Sequence, residues 1–268
     1  MILLEAALRR ERAIVAAGLA VLTLFAWAYV WLGAGMGMGA LAMTRLVLFP
    51  HLTPELMSGM AMPPVAWSTV VAMWWVMMIA MMTPSAAPLV LLYGRVMRHA
   101  AAQGQTDTML AASAFLAMGY LLVWLGFSLL ATAMLYVLQR AGLVSNMMLW
   151  SRSATLSAVV LAAAGLYQFS PLRHACLKHC RGPAQFLAQH MRSDNLGALR
   201  MGIEHGAWCV GCCWMLMALL FVFGVMNLAW IALLAVLVLA ERLASSGVFI
   251  GRIVGGVLIA WSIATLLV

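Results

Sequence analysis

The sequence predicts an all-α, polytopic transmembrane helical bundle, and three observations carry that expectation. Hydrophobic residues make up 66% of the chain and charged residues only 8%, where an ordinary soluble domain carries roughly a quarter charged residues. Apolar runs recur along the whole length, each close to the ~20 residues that cross a bilayer as a helix. The basic residues gather in alternate loops, the pattern left when every second loop faces the cytoplasm.

Seven runs qualify as spans, at about 13–33, 66–92, 109–138, 147–168, 203–223, 226–243 and 248–267. The first follows Arg9, Arg10 and Arg12 and is too long for a secretory signal, so it reads as a retained helix. The second contains "MWWVMMIAMMTPSAAP", in which Pro84 and Pro88 remove backbone donors and are expected to kink the helix. Arg95, Arg98 and His99 follow it. The third and fourth spans flank a short connection bounded by Arg140 and Arg152. After the fourth comes the most basic loop, with Arg173, Lys178, Arg181, Arg192 and Arg200. The fifth opens with "GIEHGAWCVGCC". The sixth ends in Glu241 and Arg242, which read as an interfacial flank, and Arg252 stands at the foot of the seventh.

These loops place the N-terminus in the cytoplasm and the C-terminus outside. The long outer connection, 34–65, carries Arg45 and a stretch, "ALAMTRLVLF", suited to lying flat in the interface. No internal repeat is evident, so residues 1–268 are expected to form a single integral membrane domain.

The net charge of +8, from 15 basic and 7 acidic residues, belongs to this topology signal. It does not mark a nucleic-acid partner. No phosphate-binding glycine loop with Lys-Ser/Thr is present, so ATP hydrolysis is not expected of this chain. Both aspartates, Asp107 and Asp194, fall in loops, which argues against a carboxylate proton relay within the spans. No Ser–His–Asp constellation appears, and an enzyme is not the leading expectation.

The chemistry lies in the thiols. The five cysteines fall in two clusters, "CLKHC" and "CVGCC", rather than spread as a disulfide framework. On a helix His205, Cys209 and Cys213 are four apart and share a face, Cys212 borders it, and Met217 continues it one turn deeper. Cys176 and Cys180 would share a face of the preceding loop segment, with His179 beside them. Both clusters reach the cytoplasmic side. A site built from Cys176, Cys180, His205, Cys209, Cys212 and Cys213 offers thiolates and an imidazole to a thiophilic ion, Cu(I) first and zinc second. Inert packing is the competing reading, since a buried free cysteine behaves as a small hydrophobe.

Met73, Met77 and Met81 lie on one face of the second span, with Met78 and Met82 adjacent. Counted at 1.5 Å per residue, Met77 to Met82 should sit at the depth of Cys209 to Met217. Such a stripe suits Cu(I) as a relay, although methionine is also a flexible core filler. Met36, Met38, Met57, Met60, Met62 and His51 add soft donors outside. Glu204 could orient the His205 imidazole or simply face solvent.

Three separated stretches, "MWWVMMIAMMTPSAAP", "YQFSPLRHACLKHCRGP" and "GIEHGAWCVGCCWMLMALLFVFGVMNLAWI", resemble in order a bacterial family described as predicted metal-binding integral membrane proteins. The resemblance implies a multi-pass protein of the bacterial inner membrane with its metal at the same six residues. The functional expectation is a membrane protein of metal homeostasis that transports or chaperones Cu(I). Its partners would be the lipid bilayer and the ion, with a homo-oligomer or a larger membrane complex compatible. Two alternatives stay open: a thiol-redox protein using Cys176/Cys180 and Cys209/Cys212 as dithiol pairs, and a structural subunit holding a static metal.

Overall fold

The structure, a computed structural model, describes residues 2–35, 39–44, 46–52, 66–102, 109–146, 148–192 and 194–268. The outer methionines Met36, Met38, Met57, Met60 and Met62, with Arg45 and Asp107, lie outside the described residues. Helices account for nearly all of the rest: α1 Ile2–Trp31, α2 Ala40–Met43, α3 Trp67–Ala102, α4 Met109–Arg140, α5 Ala154–Gln168, α6 Pro171–Arg181, α7 Pro183–His190, α8 Asn195–Ala218, α9 Leu220–Phe223, α10 Leu228–Leu243 and α11 Gly247–Leu267. Among the described residues there is no strand, only an isolated bridge between Val144 and Ser151.

Local chemistry sets the helix ends. Ser153, Ser170 and Asp194 cap α5, α6 and α8, each side chain accepting from a backbone N–H in the first turn. Pro171 sits at the start of α6, where its missing N–H costs nothing, and it holds Ser170 extended. The result is a 63° bend between α5 and α6. That bend turns α6 off the span direction and under the bundle.

Among the described residues, five helices are long and apolar enough to cross a membrane: Ala13–Trp31, Trp67–Arg98, Ala111–Arg140, Asn195–Phe223 and Gly247–Leu267. The number rises to six if the bent α5–α6 pair is one span. This differs from the seven spans expected. The run 147–168 becomes helical only at Ala154, because the Val144–Ser151 bridge occupies its start. The run 226–243 is α10, with 16 residues. At 1.5 Å per residue it extends ~24 Å, short of a ~30 Å hydrocarbon core. The prolines expected to kink the second span do not end it: α3 continues through Pro84 and Pro88 as one helix of 36 residues. Among the described residues of the outer connection, Ala40–Met43 is one α-helical turn and Pro50–Leu52 a 3-10 turn, with Thr44 between them extended.

Glycine decides how closely the central helices approach. A Cβ on Gly202 would run into the Leu116 carbonyl, one on Gly119 into the Leu199 carbonyl, and one on Gly206 into the Val123 side chain. Helices α4 and α8 therefore touch backbone to backbone and run parallel, as small residues permit in apolar surroundings. Gly165 and Gly255 likewise bring the backbones of α5 and α11 together, here as an antiparallel pair. The apolar stretches of α3 and α8 are each 61% buried and that of α1 only 11%, so α3 and α8 form the centre and α1 leans on the outside.

After α9 the chain reverses at Gly224, whose φ of 103° suits a residue without a Cβ. The tip of this turn is buried rather than exposed. Val225 N–H donates to Leu149 O at 3.3 Å, and Ser151 N–H donates to Val222 O at 3.2 Å. Leu228 N–H donates to Thr44 Oγ1 at 3.1 Å. So fastened, α10 returns antiparallel to α8 and brings its last turn, Glu241 and Arg242, back to the level of Cys209.

Candidate metal centre

The ladder expected on α8 is present. His205, Cys209, Cys212, Cys213 and Met217 are all buried on the helix face turned to the protein. Because α6 lies against the later half of α8, Cys180 reaches this ladder, with its Sγ 3.9 Å from Cys212 Sγ. Cys212 and Cys213 each donate their S–H to Cys209 O at 3.1 Å. All five thiols are free and buried.

The six expected residues are not equivalent. Cys180, Cys209, Cys212 and Cys213 gather around one point. Cys176 is buried one turn from Cys180 on α6, with its sulfur 2.8 Å from where a Cβ on Gly211 would stand. Glycine at 211 thus lets α6 lie against α8. His205 lies one turn below Cys209 between the rings of Tyr120 and Phe186, at centroid distances of 6.0 and 5.3 Å. Its Nδ1 has no partner among the described residues. His179 stays out of the cluster, stacked on Trp208 at 4.3 Å. Glu204 does not orient His205; its carboxylate pairs with His190 of α7 at 3.1 Å.

The methionine stripe packs where the count along the helices placed it. Met73, Met77, Met78, Met81, Met82 and Met217 are buried in the same continuous core as the cysteines. Tyr120 fixes the register between them, donating to Met82 O at 3.1 Å while standing 3.0 Å from Cys209 Sγ. Since α3 and α8 run antiparallel, Met78 falls one turn beyond Met82 in the same direction as Cys213 falls beyond Cys209.

Sequence reasoning missed the residue at the centre of the cluster. Arg242, taken as an interfacial flank, is 5% exposed. Its Nη2 lies 2.9 Å from Cys209 Sγ, 3.1 Å from Cys212 Sγ and 3.6 Å from Cys213 Sγ, and it also donates to Cys209 O at 3.3 Å. Its Nη1 donates to Ser85 Oγ at 2.6 Å, and Ser85 in turn donates to Met82 O at 2.8 Å. The neighbouring Glu241 makes its ion pair with the fully buried Arg173 of α6, at 2.6 Å, rather than with Arg242. Among the described residues no carboxylate forms an ion pair with Arg242. Sulfur atoms are what surround its charge. The signal in the sequence was faint: a Glu–Arg pair closing the apolar run 228–240, Tyr120 amid the apolar third span, and Ser85 between two prolines.

With the guanidinium among the sulfurs, the described residues contain no group of three or more His, Cys, Asp or Glu side chains arranged to hold a metal ion. They do contain a pair. Metal–thiolate bonds of about 2.3 Å put two sulfurs on opposite sides of an ion at most ~4.6 Å apart, and the Cys180–Cys212 separation of 3.9 Å falls within that limit. Soft, buried, unpaired thiols fit a monovalent copper ion better than a hard cation.

Fold and site together define an all-helical protein with several membrane-length apolar helices and a buried thiol cluster. The chain belongs to the PpoB2 family of copper chaperones, whose family model matches residues 71–265. That match runs from the start of α3 almost to the end of α11 and includes every cysteine. Copper is therefore the metal its family associates with the chain. No curated protein and no solved structure matches it.

Proposed function

We propose that the protein carries Cu(I) as cargo within the bacterial inner membrane, holding it between Cys180 of α6 and Cys212 of α8 for transfer to an acceptor. The observation that carries this reading is the 3.9 Å approach of those two sulfurs from different helices, at the centre of a buried soft-donor core. Cys209 and Cys213 are the next donors along α8, and Met78, Met82 and Met217 continue the path toward the outer side. Donors taken few at a time let the ion move on, whereas a closed four-donor site would retain it. His205 lies on the cytoplasmic side of the pair and suits the handover there, while Cys176 packs beside the pair at Gly211. In this reading α5 and α10 complete seven passes. Short as they are, they cross within the shelter of α3, α8 and α11, with the N-terminus cytoplasmic and the C-terminus outside.

The test is metal content. The full chain, purified in detergent under reductant, should hold stoichiometric Cu(I), and Cys180→Ser with Cys212→Ser should lose at least nine-tenths of it. Cys209→Ser with Cys213→Ser should retain binding at reduced affinity. Copper content unchanged in the Cys180/Cys212 double variant would defeat the proposal.

The same 3.9 Å gap favours one second reading, a dithiol at Cys180 and Cys212 that closes to a disulfide. Closure would require the sulfurs to approach to about 2.0 Å. Mass spectrometry of protein alkylated without prior reduction separates the two readings: a 180–212 cross-link supports redox exchange, and full alkylation with bound copper supports carriage.

A further inference from the structure

Arg242 is more than part of the wall of this cluster. Its guanidinium is charged at any accessible pH, and a charge buried this deeply needs compensation. The oxygens it meets, Ser85 Oγ and Cys209 O, are neutral. The nearest carboxylate in sequence, Glu241, is held by Arg173. Among the described residues, the cysteine sulfurs are the groups able to carry negative charge in direct contact with it.

Resting on the copper reading above, we propose that Arg242 is the fixed counter-cation that makes the site select a monovalent ion held by two thiolates over a divalent one. Two thiolates and one Cu(I) carry a single negative charge, which the guanidinium neutralises. The same two thiolates with Zn(II) are already neutral, so the arginine charge would be left unbalanced in a low-dielectric interior. A divalent ion could restore neutrality by recruiting a third thiolate, but Arg242 obstructs that route. Its Nη2 sits 2.9 Å from Cys209 Sγ and 3.6 Å from Cys213 Sγ, within the space where an ion would have to bond those sulfurs together with Cys212. Zinc asks for four donors in a closed tetrahedron. Here a cation stands where that tetrahedron would close. Ser85 holds the guanidinium in place, and Met82 O holds Ser85. Arg242 is thus a positioning and selectivity residue rather than a ligand.

The experiment compares the full chain with Arg242→Gln and Arg242→Lys, in detergent under reductant. Cu(I) affinity is read by competition with bicinchoninate and Zn(II) affinity by competition with a fluorescent zinc chelator. Arg242→Gln should weaken Cu(I) binding on the order of 10–100-fold, the range seen when groups supporting metal ligands are removed. It should leave Zn(II) binding unchanged or tighter, so the preference between the ions collapses. Arg242→Lys keeps the charge and should retain most of the preference, which a merely structural role would not predict. A Cu(I)-to-Zn(II) ratio in Arg242→Gln equal to that of the parent would overturn the inference, as would equal losses in Lys and Gln. If Arg242→Gln does not fold, copper X-ray absorption on the parent decides instead: two sulfur neighbours support the inference, and three or four sink it. Cu(I) binding indifferent to the Cys180/Cys212 double variant would strike the underlying function and not the role of the arginine.

Discussion

At the scale of single residues, the buried charges are the part of the molecule that alters most if touched. Arg173 and Glu241 pair at 2.6 Å with side-chain exposures of 0% and 3%, and they join α6 to α10 directly beneath the thiols. Removing one partner of such a pair strands the other in a low dielectric. Glu241→Gln should therefore cost about 3–5 kcal/mol of stability, read as a lower melting temperature in detergent, while Glu204→Gln, at a half-exposed pair, should cost under about 1 kcal/mol. Equal melting temperatures for the two variants would contradict this account. The thiols were legible because helical spacing alone puts His205, Cys209 and Cys213 on one face. Arg242 was not, because an arginine at the end of an apolar run reads the same whether it meets headgroups or turns inward. Only the direction α10 takes after Gly224 separates those outcomes.

At the scale of elements, the site depends on how closely α8 lies against α4 and α6. Gly202, Gly206 and Gly211 leave room for the Leu116 carbonyl, the Val123 side chain and the Cys176 sulfur respectively. These three glycines occupy the same stretch of α8 as His205, Cys209 and Cys212, on its neighbouring sides. Gly202→Leu would push α4 from α8, break the contact of Tyr120 with Cys209 Sγ and spread the cluster. Overpacking of this kind costs about 1–3 kcal/mol or more. The expected result is a lower melting temperature together with weaker Cu(I) binding, whereas Gly18→Leu on α1, where a Cβ meets nothing within 4 Å, should change neither. The helices themselves were readable from apolar runs and from the caps at Ser153, Ser170 and Asp194. The bend at Ser170–Pro171 was visible as a proline. That it would swing α6 against α8 was not, since a proline marks a break without giving its direction.

At the scale of the whole molecule, the described residues form five membrane-length helices, or six with the bent pair, with α3 and α8 the most buried of them, and large side chains such as Phe25, Leu130, Val236 and Leu267 face outward. An apolar exterior of this extent suits lipid better than water. The proposed orientation predicts that alkaline phosphatase fused after Val268 is active outside the inner membrane and that a fluorescent protein fused before Met1 folds in the cytoplasm. The reverse pattern would place the thiol cluster on the opposite face and reverse the proposed direction of carriage. By itself the sequence determined the helical class, the apolar character and the identity of the soft donors, because composition and 3.6-residue periodicity are local properties of the chain. Tertiary structure alone decided which cysteines meet, that α5 and α10 are short, and that a guanidinium stands among the sulfurs. Those outcomes depend on where a turn at Gly224 and a bend at Ser170 send the following helices, and two distant segments share a depth only once the helices between them are packed.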